Sequence, residues 1–401
     1  MKHTNDISKT LVLVLAALSV LVFASCQPGN ANSPQGQQSL FTAAPGSPIS
    51  LADGPGNVVT GDVNNDKKPD LVVSSEKSRS ITVMLGKGDG QFAATASTTT
   101  LPDSPGDMAL GDVNADGKLD LAITSHDSYG VMLLLGNGNG GFTIAPNSPI
   151  VMKVGQHPHT HGLALADMNR DNKLDLVTVN NADNDVSVAW GNGRGDFTRA
   201  AGSPFAVGPS PYPHAVGDVN GDGQLDIVAT ASATGPSRAQ QLQLSRALTL
   251  LLADGRGGFR STLLPLRTGE PWFAAIGDLN GDRKPDIVAT HHELSKLTVM
   301  LGDGQGGFVE ATASPFDFGG QVSHAAIADL NNDGKMDVIA AGGDSVFAMV
   351  GDGRGGFATG PATRTGRGTW RFDRADLNGD GKIDVVATSS ESNTVSVLLG
   401  R

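Results

Sequence analysis

Oxygen donors recur along this chain at a spacing suited to holding a hard cation. The nine-residue phrase Asp-x-Asn-x-Asp-x-x-x-Asp occurs seven times. Its donors are Asp62, Asn64, Asp66 and Asp70; Asp112, Asn114, Asp116 and Asp120; Asp167, Asn169, Asp171 and Asp175; Asp218, Asn220, Asp222 and Asp226; Asp278, Asn280, Asp282 and Asp286; Asp329, Asn331, Asp333 and Asp337; and Asp376, Asn378, Asp380 and Asp384. In a tightly turning loop, positions 1, 3 and 5 aim their side-chain oxygens at one point, and position 9 closes the set. Such a set suits Ca2+, so up to seven calcium ions are expected.

The match to the first half of an EF-hand loop ends at position 12, where a bidentate Glu is needed. Here that position is Val73, Ile123, Thr178, Ala229, Ala289, Ala340 or Ala387, so the loops lead into strands. Position 6 calls for a left-handed backbone, which Gly117, Gly223, Gly334 and Gly381 adopt without penalty. Asn172 tolerates it, whereas Lys67 and Arg283 do so at some cost, which makes the first and fifth sites the weakest. The bland alternative is a set of Asx-turns at hairpins. Three carboxylates within nine residues argue against it, because unneutralised they repel. The loops hold 21 of the 41 acidic residues, and seven calcium ions would bring the formal net charge of -12 to slightly above zero. A site with a dissociation constant of ~0.1 mM in ~1 mM calcium contributes roughly 1.4 kcal/mol.

Successive copies lie 50, 55, 51, 60, 51 and 47 residues apart. That is the length of a four-stranded propeller blade and too long for a helical hairpin. After each loop comes an apolar run, such as Leu71-Val72-Val73 or Ile227-Val228-Ala229, which predicts a strand buried on both faces. A second β-rich run follows, then a glycine-rich turn such as Gly136 to Gly141, then a Phe-led polar strand. The predicted fold is all-β, a seven-bladed β-propeller of four-stranded blades. Its last unit lacks the Phe-led strand, whereas Phe41 to Pro48 repeats the pattern of Phe142 to Pro149. The N-terminal segment is therefore expected to complete the seventh blade and close the ring.

The stretch Gly111 to Leu121, with Leu135 to Phe142 after it, resembles the FG-GAP, or VCBS, repeat. That repeat builds the calcium-binding propeller of integrin α subunits. The resemblance covers residues 39–401 and implies calcium at the Asp loops and a propeller used for binding. It names no ligand, because adhesins, lectin-like proteins and enzyme accessory domains share the repeat.

Residues 1–25 carry Lys2 and Lys9, then an apolar stretch from Leu11 to Phe23, too short to span a bilayer, and are expected to be a signal peptide. Phe23-Ala24-Ser25-Cys26 resembles a bacterial lipobox, with Phe23 in place of the usual Leu. This implies lipidation of Cys26, the one cysteine in the chain, and, with Gln27 following, an outer-membrane destination. Residues 26–38 are expected to form a flexible tether, and residues 39–401 one propeller domain. The expected state is an exported, lipid-anchored monomer that touches membrane through its anchor alone. The acidic balance argues against nucleic acid as a partner.

With the Asp loops on one face, the opposite face is free for a ligand. The residues six before each first Asp, Gly56, Gly106, His161, Tyr212, Trp272, Ser323 and Trp370, mark entry to the innermost strands, and Pro55, Pro105, Pro211 and Pro271 precede four of them. His161, Tyr212, His214, Trp272, His324 and Trp370 are thus expected to crowd the mouth of the central channel as a platform for a sugar or a peptide side chain. The alternative is that the rings only cover blade ends. His157, His159 and His161 share one face of an extended segment and could hold zinc or copper, or stay solvated. His291, His292 and the insertion around Ala231 to Arg246 are expected on the same face.

No local catalytic signature appears. Arg371, Asp373 and Arg374 break a small-residue pattern, either as an ion pair within the seventh blade or as part of a pocket. The leading expectation is an extracytoplasmic binding or adhesion protein for a glycan or protein ligand, without chemistry. The alternatives are a polysaccharide-acting hydrolase or lyase with its residues converging from several blades, or a structural part of an envelope complex.

Overall fold

Seven four-stranded antiparallel sheets form a ring in the computed structural model, which describes residues 39–93, 95–125, 128–155, 159–231 and 246–401. The expected signal peptide, Cys26 and the tether, His157, and residues 232–245 of the insertion lie outside the described residues. No helix among the described residues is long and apolar enough to cross a membrane.

The first blade sets the pattern. Its innermost strand is Pro55–Gly61, followed outward by Asp70–Ser75, Ser80–Met84 and Ser97–Thr100. The innermost strands of the other six are Pro105–Gly111, Thr160–Ala166, His214–Gly217, Phe273–Gly277, His324–Ala328 and Thr369–Ala375. Each Asp loop joins a first strand to a second, so all seven loops lie on one face. The apolar runs become second strands buried along their whole length, as Asp70–Ser75 and Asp120–Ser125 illustrate. They are sandwiched between neighbouring blades, and this places the core. The buried apolar residues form seven clusters, one at each junction between adjacent blades. At the junction of blades 1 and 2, Val72, Ile81 and Val83 meet Leu121, Ile123 and Leu134.

The seventh blade closes as the Phe41 repeat predicts. Phe41–Ala43 pairs with Thr394–Gly400 through Phe41↔Gly400 and Ala43↔Leu398, and Ile49–Ser50 pairs with Val395 and Thr394. Phe41 is buried in the core between blades 6 and 7, a burial that contributes roughly 2–3 kcal/mol. The break between the two pieces follows from sequence as well. The hydroxyl of Ser47 accepts the Val397 N–H at 2.9 Å where the strand leaves the ladder. Ser148, Ser203 and Ser314 do the same for Leu133, Val188 and Val299 in blades 2, 3 and 5. A buried N–H that lost its strand partner would otherwise go unpaired.

Two details depart from the expected layout. Phe92 opens no outer strand in blade 1; it makes a single bridge to Gly86, and the strand follows at Ser97. The innermost strands of blades 1, 2, 3 and 7 carry a register shift near their entry. Such bulges re-aim side chains. Here they bring residues 57, 107 and 371 to the channel head.

Candidate functional site

The seven Asp loops are coiled by their own side chains. In the second copy, Asp112 accepts the N–H groups of Asp116 and Gly117, Asn114 accepts Asp116 N–H, and Asp116 accepts Lys118 N–H, all at 2.8–3.1 Å. Left-handed backbone is present at position 6 in every copy, including Lys67, Asn172 and Arg283, as expected. It also recurs at position 4, where Ala115 and Arg170 have φ of 59° and 63°. That conformation costs roughly 1–2 kcal/mol for a residue with a Cβ and persists where surroundings over-determine it.

Position 9 behaves differently from positions 1, 3 and 5. Asp70, Asp120, Asp175, Asp226, Asp286, Asp337 and Asp384 are fully buried. Each accepts two backbone N–H groups: Asp120 takes those of Val113, at position 2, and Gly136, at the end of the third strand, at 3.1 and 2.9 Å. The carbonyl of Val113 then accepts Gly195 N–H of the next blade, as Val63 accepts Gly140 and Leu279 accepts Gly355. The loop is thus also a stitch between blades. Burial pushes the position-9 carboxyls up against these donors, and neighbouring loop carboxylates add to the rise; at Asp175 it reaches about 6.

The donor set fits calcium by its chemistry: hard oxygens on tightly turned loops, and carboxylate repulsion felt at position 9. Lysines at position 7 answer part of that charge, with Lys118 and Lys173 standing 3.3 and 3.2 Å from Asp116 and Asp171. No group of three or more His, Cys, Asp or Glu side chains is gathered into a metal cage among the described residues.

On the opposite face the channel opens into a cavity of about 490 Å³. The sequence column six residues before each first Asp accounts for its shape. Blades 1 and 2 place Gly56 and Gly106 there, which leaves the hollow; a Cβ on Gly106 would lie 2.5 Å from Thr124 Oγ1. Blades 3, 4, 5 and 7 place His161, Tyr212, Trp272 and Trp370. His161 stacks on Tyr212 and Tyr212 on Trp272, each with centroids 4.3 Å apart, and Trp272 meets Trp370 edge-on at 6.1 Å. His292 packs against both tryptophans. His161, Tyr212 and Trp370 line the cavity, and Trp370 stays 37% exposed. His159 and His161 bring their Nε2 atoms within 2.9 Å.

The other expected histidines part from this rim. His214 and His324 sit in the hub and are absent from the cavity lining. Both nitrogens of His214 are buried without a hydrogen bond, and burial pulls its pKa down to about 4. His324 lies between the rings of Phe273 and Phe372, where burial holds it well below the usual imidazole value. His291 is a core residue bonded to Glu270 O and Thr298 Oγ1. Ala231 and Arg246, the described ends of the insertion, connect a second strand to a third, so the insertion leaves from the cavity face.

The floor holds residues that the rim pattern passed over. Arg371 forms its ion pair with Asp107 of blade 2 at 2.7 Å and not within blade 7, and it lines the cavity, as the second of its two expected readings had it. Asp107 also accepts Asn57 Nδ2 at 3.1 Å and Gly162 N–H at 2.7 Å. Burial opposes its charge, but Arg371, His161 and the Gly162 N–H hold its carboxyl below the ordinary value. Asp373 turns instead to Thr60 of blade 1, accepting its N–H and hydroxyl at 2.7 and 2.8 Å. Asn57, Asp107 and Arg371 share the column five residues before each first Asp, so the same count moved by one finds them. Glu76, Lys77 and Glu391 complete the open side from loops between second and third strands.

A protein-family profile described as an FG-GAP-like repeat matches residues 62–123, 112–178, 167–229 and 278–340. No curated protein sequence matches significantly. Among solved structures, BBS1N in complex with ARL6DN superposes with a TM-score of 0.59 at 12% identity, over 91% of this chain and 98% of that one. An Agrocybe aegerita lectin described as recognising non-reducing terminal N-acetylglucosamine gives 0.54 at 22%, over 79% and 81%. Virginiamycin B lyase from Staphylococcus aureus gives 0.56 at 11%, over 89% and 99%. These likenesses establish the fold alone.

Proposed function

The chain belongs to the FG-GAP-like repeat family, whose propeller fold suits a binding or structural role, and from that premise we propose that it is a recognition protein binding a glycan in its channel-mouth cavity. The observation that carries this reading is the aromatic arc from His161 to Trp370, which ends in an exposed tryptophan beside a hollow left by Gly56 and Gly106. Pyranose rings stack their C–H faces on such platforms while polar groups around them take the hydroxyls. Asn57, Ser74, Ser390 and Tyr212 supply such groups here. The cavity volume falls within the range of small-ligand sites, about 300–1,000 Å³. The lectin among the structural neighbours is a precedent for a propeller of this kind holding a sugar.

Calcium at the Asp loops and a lipid on Cys26 complete the reading. Positions 1, 3 and 5 of each loop would hold the ion with the buried position-9 Asp behind them, and calcium would supply charge neutralisation and loop rigidity. The anchor would hold the propeller at the envelope.

Catalysis is the second reading, favoured by one feature: His161, paired with His159, lines the cavity close to Asp107. Two others weigh against it. Arg371 is already neutralised by Asp107, and burial pushes the Tyr212 phenol up, away from service as a base. A glycan array decides between the readings. Binding that is lost in Trp272→Ala/Trp370→Ala supports recognition; an array without hits sinks it. Polysaccharide turnover that disappears in His161→Ala would replace it with the enzymatic reading.

A further inference from the structure

We propose that the group seated in this cavity is a protonated amine, carried by an amino sugar. The inference rests on the glycan reading above and adds the charge of the ligand. Beside the imidazole of His161, which is packed against Tyr212 and His159, two permanently charged basic side chains line the cavity, Arg371 and Lys77. Arg371 is buried and committed to Asp107, so the floor offers no free cation to a sugar carboxylate or sulfate. The open side adds Glu76 and Glu391, both exposed and without an ion-pair partner among the described residues, against Lys77 alone. An anionic sugar would therefore meet two carboxylates and a single mobile lysine.

A protonated amine meets the opposite balance. The indole of Trp370, 37% exposed at the cavity, attracts cations through its π face, most strongly where water is partly excluded. The rim carboxylates add a longer-range attraction that salt screens. Both glutamates lie on turns outside the core, so the cavity and its charge are separable by substitution.

The test compares a glucosamine oligomer with its fully N-acetylated counterpart of equal length. Both are titrated by calorimetry into the full chain at mildly acidic pH and low salt. The free-amine oligomer is expected to bind about tenfold more tightly. The preference should shrink to about twofold in Glu76→Gln/Glu391→Gln and on raising salt. An unchanged melting temperature of that variant would show that the fold is intact. Equal or tighter binding of the N-acetylated oligomer overturns the amine assignment and leaves the glycan reading standing. Binding of neither oligomer overturns the assignment, and an empty glycan array beside it sinks the glycan reading too. A preference that survives in the double variant overturns the role of the carboxylates. A lysine-rich peptide that binds more tightly than either sugar overturns the sugar as carrier.

Discussion

The Arg371 guanidinium and the Asp107 carboxylate lie 2.7 Å apart across the head of the channel, joining the seventh blade to the second. Both are buried, and Asn57 of the intervening first blade bonds the same carboxylate. Removing one partner strands a buried charge, so Arg371→Ala should cost about 3–5 kcal/mol by chemical denaturation. Arg371→Met with Asp107→Asn should recover most of that loss. The carboxyl is held below its ordinary value, so its stabilisation is complete above the ordinary carboxylate range. It fades as pH falls through the folded value.

Gly56 faces the cavity with its nearest would-be Cβ contact, Ser74 Oγ, at a comfortable 3.5 Å. Gly56→Trp should therefore fold with stability within about 1 kcal/mol of the parent while filling the hollow with the kind of ring that blades 5 and 7 carry. A ligand of the top face should lose about tenfold or more in affinity. Binding undiminished in this variant would place the ligand elsewhere.

The two acidic roles in each loop separate by chelation. Asp120→Ala leaves the Val113 and Gly136 N–H groups unpaired, at about 1–3 kcal/mol each, with or without chelator. Asp116→Ala removes an exposed loop carboxylate and should lower the melting temperature chiefly in calcium. A melting temperature that chelation leaves unchanged in the parent protein would remove calcium from the account.

Phe41 ties the N-terminal strand into the core between blades 6 and 7. Phe41→Ala should cost about 3–5 kcal/mol, and deletion of residues 39–52 should destabilise all seven blades together, because each borders the next. Differential scanning calorimetry would show the coupling as one transition shifted downward; a stable, monomeric truncation would refute it.

Acid should weaken the fold through its buried imidazoles, in a window that overlaps the raised position-9 carboxyls. Burial pulls the His291 imidazole from 6.5 to about 4, so between those values the unfolded chain binds more protons. Stability then falls as pH drops through the window, by about 3 kcal/mol at most for this group. His291→Gln should flatten the slope of denaturation midpoint against pH between 6 and 4.

Much of the ring was legible before any coordinates. Seven in-phase Asp loops, seven apolar runs and the displaced Phe41 strand set blade number and closure, because each is a local pattern repeated at a fixed interval. The rim was legible for the same reason, since His161, Tyr212, Trp272 and Trp370 occupy one column of the repeat. His324 and His214, one and two residues beyond that column, were expected beside the rim, and those steps along a strand turn them into the hub.

Local sequence could say which residue types a loop or strand holds, because turn chemistry and burial periodicity act within a few residues. It could not pair Arg371 with Asp107, which stand 264 positions apart, or show that position-9 carboxylates serve backbone N–H groups. Those contacts depend on how seven blades pack around a common axis and on bulges that turn single side chains into the channel. Which charges remain unpaired at the cavity mouth is likewise a property of the closed ring, because only there do residues from the first, second, third, fourth and seventh blades share one space.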